Sequence, residues 1–181
     1  MFAEELQEHV ERHTHQAVAV YQNLSAGILN KPSSVGGWSI VQCLAHLNSY
    51  FSYYLPLLSN AVQTQSTDPP VSVKLGWLGS YFIRMMDADG KPSKYKAAKQ
   101  HLPAPNLGAH EVVAAFIEHQ ESMLTILRNV DAMNLNHYRV PTSINRFISL
   151  RLGETLAFLV VHNERHIRQA NRNISPVTMN H

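Results

Sequence analysis

The chain has 181 residues, 45% of them hydrophobic and 15% charged, with a formal net charge of +2, 11 histidines and a single cysteine. That length and apolar content suit one globular domain over residues 1–181, and so small a charge is no electrostatic footprint for a nucleic acid. Cys43 alone excludes an internal disulfide, the acidic start MFAEELQEHVERH is no secretory signal, and no run approaches the roughly 20 apolar residues of a membrane span. A cytoplasmic protein with no membrane partner is the expectation.

Phe2, Leu6, Val10, Ala17, Tyr21, Leu24 and Ile28 recur at helical spacing and predict one long amphipathic helix over residues 2–29. Asn30-Lys31-Pro32 and Gly36-Gly37 then break it. Ile40, Leu44, Leu47, Phe51, Tyr54 and Leu58 predict a second helix over residues 39–58, with Pro56 in its last turn marking a kink or an early end. A long connection over residues 59–108 follows, holding a short helix near Trp77 to Met86 and the lysine-rich segment KPSKYKAAKQH. Val113, Phe116, Ile117, Leu124 and Leu127 predict a third long helix over residues 109–130, and Leu152, Leu156, Leu159 and Ala170 a fourth over 149–171. With no convincing alternating strand, this is the pattern of an all-α four-helix bundle, a fold that places metal and cofactor sites between facing helices.

The pentapeptide His-x-Glu-Arg-His occurs twice, as HVERH (His9 to His13) and as HNERH (His162 to His166). On a helix, residues four apart stand about 40° apart in azimuth and roughly 6 Å apart along the axis, so either pair can reach one metal ion. His162 and His166 follow the apolar run LAFLVV and flank the buried stripe, whereas His9 and His13 stand among Glu4, Glu5, Glu8, Glu11 and Arg12 on what reads as a solvated or partly packed face. A transition-metal site needs about three protein ligands, and His46, in WSIVQCLAHLNSY on the second helix, is the candidate for the third.

Trp38-Ser39 opening a helix with His46 two turns on, His162, His166 and Gln169 as His-x-x-x-His-x-x-Gln on the last helix, LPAP at residues 102–105, and the polar stretch NLNHYRVPTSINRFISLRLGETL occur in one order. Together they resemble the DinB-like (DinB/YfiT-like) four-helix-bundle family of metal-dependent enzymes, over nearly the whole chain. The resemblance implies that His46, His162 and His166 bind one divalent metal ion, usually nickel or zinc. It also implies a transferase that activates a low-molecular-weight thiol, such as bacillithiol or mycothiol, for attack on a small-molecule electrophile. A metal-dependent hydrolase using metal-bound water, and a non-catalytic metal- or ligand-binding module, a homodimer among its candidate forms, remain as alternatives.

Glu164 differs in position from the glutamate of the zinc-protease signature: it stands about 180° from the midpoint of the two histidines and cannot act as that general base. Glu118 or Glu121 of the third helix is the remaining carboxylate candidate. Gln169 is a candidate to steady a ligand or a bound water, and Tyr50 and Tyr53 to line the pocket. Asn163, in the apolar stripe, is a candidate either to orient an imidazole or to bond a neighbouring helix. Cys43 reads as a small core hydrophobe, and Lys91, Lys94, Lys96 and Lys99 as a solvated loop.

Overall fold

In the computed structural model, which describes residues 2–34, 36–64, 72–86, 97–130 and 133–174, the N-terminal stripe forms α1 (Phe2–Ala19) and then breaks. The break has two local causes. The side-chain amide of Asn23 donates to the Val18 and Ala19 carbonyls at 3.0 and 3.2 Å, closing the end of α1, and the Ser25 hydroxyl caps a new short helix, α2 (Ala26–Asn30). The single helix expected over residues 2–29 is therefore two, joined by a 3-10 turn at Tyr21–Asn23. Lys31 is extended before Pro32, and Gly36 and Gly37 take positive φ values of 80° and 110°, which ends the segment as the breakers suggested.

Ser39 and Gln42 open α3 (Ile40–Thr64) with a reciprocal box: the Ser39 hydroxyl accepts from the Gln42 amide and the Gln42 side chain from the Ser39 amide. Pro56 neither ends nor shortens this helix, which runs on to Thr64. Pro56 and Ser52 are both exposed, so the Ser52 carbonyl that loses its helical partner is left to water, while buried Tyr54, Leu58 and Ala61 keep the far side on the core.

α4 (Trp77–Met86) is the short helix expected in the connection, and α5 (Ala109–Arg128) the third long one. Residues 149–151, expected to be helical, instead form strand β2 (Ser149–Arg151), paired antiparallel with β1 (Arg139–Pro141) in the register Val140 to Leu150. α6 (Leu152–Asn171) begins directly after it, because the Glu154 carboxylate accepts from the Arg151 amide at the helix start. α1 and α3 each pack on both α5 and α6, so they lie diagonally across the bundle, and α4 lies on the outside of α6. Leu6, Val10, Leu44, Leu47, Phe116, Met123, Leu127 and Leu156 meet in the core, each stabilising the fold by about 1.5–3 kcal/mol of burial. No described helix is long and apolar enough to cross a membrane.

Candidate metal centre

From its start at the Ser39 box α3 carries His46, two turns in, to its interface with α6, where LAFLVV leads into His162 and His166. All three histidines are buried, and their ligand atoms lie within 4.8 Å of one another. The Nε2 atoms of His46 and His162 stand 3.2 Å apart, and the ring centroids of the three are separated by 4.6 to 5.1 Å.

Two of the rings have a hydrogen-bond acceptor on the nitrogen turned away from the cluster. His46 donates from Nδ1 to the His101 carbonyl at 2.7 Å, and His166 from Nδ1 to Gln169 Oε1 at 3.0 Å. A neutral imidazole that donates from Nδ1 keeps its lone pair on Nε2, the form a metal ion takes. His162 Nδ1 is buried with no partner among the described residues. Burial holds all three rings neutral. It pushes His162 well below the usual histidine range, pushes His166 down to about 3, and lowers His46 against the opposing pull of the His101 carbonyl. Converging neutral nitrogens with oriented lone pairs fit a divalent transition metal.

Aromatic rings enclose the cluster. Trp38 stacks on His166 at 5.6 Å between centroids and tilts over His46 at 4.8 Å, while Phe158 stacks on His162 at 5.5 Å. Tyr50, expected to line the pocket, is edge-on to His162 at 4.5 Å and to His46 at 5.1 Å. Tyr53 instead packs on Tyr54 and donates to the Thr142 carbonyl at 3.4 Å. Asn163 turns to α5 and donates to Gln120 Oε1 at 3.1 Å; of its two candidate roles the structure shows the bond to a neighbouring helix. Cys43 is fully buried, its thiol pushed up to about 12 by burial. Lys99 is exposed, and Lys91, Lys94 and Lys96 lie outside the described residues.

No carboxylate joins the three histidines among the described residues. Glu118 and Glu121 are exposed on α5. Glu164 faces away from the cluster, accepting from His13 Nε2 at 2.8 Å and from Arg168 at 2.7 Å. The two pentapeptides thus touch each other, and His9, His13 and Glu164 form a second group with ligand-like spacing. Its positive charge is already supplied: Arg168 holds the carboxylate and Arg12 donates to His9 Nδ1 at 2.8 Å. Arg12 and Arg168 thus already engage His9 Nδ1 and the Glu164 carboxylate, whereas no arginine bond of this kind reaches the three imidazoles of the α3–α6 cluster among the described residues.

His101 was not anticipated from the sequence, nor was the contact of Trp38 and Phe158 with the clustered imidazoles. His101 directly precedes LPAP, a position with no helical period to assign it a face.

A family model described as the DinB superfamily matches residues 9–170 of the chain. No curated protein and no solved structure matches it.

Proposed function

Because the chain belongs to the DinB superfamily, we propose that His46, His162 and His166 hold one zinc or nickel ion per chain, and that the protein is a metal-dependent transferase of a low-molecular-weight thiol. The observation that carries this reading is the donor set: three neutral imidazoles in reach of one point, with no carboxylate among them in the described residues. When bound there, a divalent ion supplies Lewis-acid charge that favours a thiolate over its thiol near neutral pH. Three neutral ligands would leave most of such an ion's charge uncompensated, and an anionic sulfur would provide both the missing charge and the nucleophile.

The chain's own groups support an external nucleophile. Cys43, pushed up to about 12, stays a thiol at neutral pH. Glu164 is engaged by His13 and Arg168, and buried Glu154 by the backbone amides of Gly76 and Arg151, so neither is placed to take a proton from a bound substrate. Trp38, Tyr50 and Phe158 cover the imidazoles and keep water from their faces.

Elemental analysis tests the centre first. The purified protein should carry about one transition-metal ion per chain and His162→Ala should lose it; metal retained undiminished in that variant overturns the ligand assignment. A panel of low-molecular-weight thiols, bacillithiol included, with a small electrophile tests the chemistry. Ester or amide hydrolysis with no response to any thiol would replace transfer by hydrolysis, and metal without either activity would leave a binding module.

A further inference from the structure

His101 ends a 3-10 turn at Lys99–His101 and is its one buried residue; Lys99 and Gln100 are exposed, as is Leu102 beyond it. Its backbone carbonyl accepts from His46 Nδ1 at 2.7 Å. Its ring has a serine hydroxyl on either nitrogen, Ser49 Oγ at 2.9 Å from Nδ1 and Ser143 Oγ at 2.9 Å from Nε2, and it stacks on Tyr50 with centroids 3.8 Å apart.

The direction of every bond in this group follows from counting protons. Ser49 has one hydroxyl proton and gives it to the His46 carbonyl at 2.7 Å, so its oxygen accepts from His101 Nδ1. His101 is therefore the Nδ1–H tautomer, its Nε2 is an acceptor, and Ser143 donates to it. The result is a closed circuit between two residues far apart in sequence. The His46 side chain bonds the His101 main chain, and the His46 main chain, through Ser49, bonds the His101 side chain.

A carbonyl oxygen can only accept, so it admits one tautomer of His46, the one whose Nε2 lone pair points at His162 and His166. We propose that His101 is a positioning residue for the metal centre: its ring, clamped by Ser49, Ser143 and Tyr50, holds its own carbonyl against His46 and so fixes the tautomer and aim of that ligand. This rests on the metal reading above and adds to it a residue outside the ligand set. It also gives β1 and its following turn a part in the site, since Ser143 lies two residues beyond the strand. Acceptors of this kind are worth roughly 10- to 100-fold in metal affinity.

The experiment is a cobalt(II) titration of the wild-type protein and of His101→Ala, Ser143→Ala and His119→Ala, with proton spectra of the loaded forms. His119 is the control: it stacks on Phe51 and bonds Asn48 at 3.0 Å, away from the centre. His101→Ala should weaken cobalt binding roughly 10- to 100-fold, and Ser143→Ala, which removes one tether, by about fivefold. The strongly shifted, exchangeable Nδ1 proton of His46 should exchange slowly with solvent in the wild type and His119→Ala and fast in the other two. Gln169→Ala identifies it, because that change frees only the corresponding proton of His166. Unchanged affinity with slow exchange in His101→Ala, or in Ser143→Ala should His101→Ala not fold, overturns the positioning role and leaves the metal reading standing. A wild-type protein that binds no cobalt, zinc or nickel overturns both.

Discussion

Glu164 lies in the chain between His162 and His166 and in space on the opposite side of their helix, where His13 and Arg168 hold its carboxylate down at about 2. The largest cause is the bond from His13, whose own ring burial keeps neutral, so a neutral donor meets an ionised acceptor. His13 Nδ1 fits this, since a buried nitrogen without a partner among the described residues costs less as a lone pair than as an N–H. Glu164→Gln keeps an acceptor for His13 but sets an amide against Arg168. We expect it to lower stability by about 1–2 kcal/mol in urea unfolding, with metal content unchanged. Loss of the ion in that variant would mean that the carboxylate acts on the centre after all.

At the level of the helix, periodicity made the three-histidine cluster legible and little else. His46, His162 and His166 stand on strongly periodic segments, so the apolar stripe alone placed them near a core. Asn163 stands on the same segment, but its position one step from His162 aims it at α5, and a stripe read from one helix does not say which neighbour it meets. The division of the first helix turned on Asn23 and Ser25 side chains answering backbone groups, a contest that apolar spacing does not register. Pro56 shows the reverse case, a breaker overruled by packing. An interior proline costs a helix about 3 kcal/mol relative to alanine, and removing it returns about 1 kcal/mol of freedom to the unfolded chain. Pro56→Ala should therefore raise stability by about 2 kcal/mol and lift the melting temperature. A lower melting temperature would show that the proline sets a bend the bundle requires.

For the whole molecule, acid is the informative variable. His13, His46, His101, His162 and His166 are all lowered from the ordinary 6.5 by burial, His101 to about 4 and His166 to about 3. Below pH 6.5 the unfolded chain takes up protons that the folded chain refuses, so stability falls as pH drops through that value toward the folded pKa values. Glu164 adds a second loss: its stabilisation is complete above 4.5 and disappears as pH falls toward about 2. The unfolding free energy of the metal-free protein should thus be flat between about pH 7 and 8 and decline steadily from pH 6.5 to 4. Excess zinc should raise stability at neutral pH and lose that effect in acid, because ligand nitrogens must be deprotonated to bind it. A stability that stays level down to pH 5 would show that these rings titrate normally. His101 entered this set only through the structure, since it sits in a proline-flanked stretch whose partners come from α3 and from the turn after β1.

The two tryptophans occupy opposite optical environments. Trp38 is pressed against His166 and His46, whereas Trp77 is 81% exposed. Nickel, cobalt or copper at the histidines would lie within contact range of the Trp38 indole and quench its emission by energy and electron transfer, while zinc, with a closed shell, would leave it bright. Iodide added to the buffer would quench exposed Trp77 more strongly than half-buried Trp38. With an ion on the three histidines, Trp38 would thus act as a fluorescent indicator that tells a quenching ion from zinc by intensity, with no label attached.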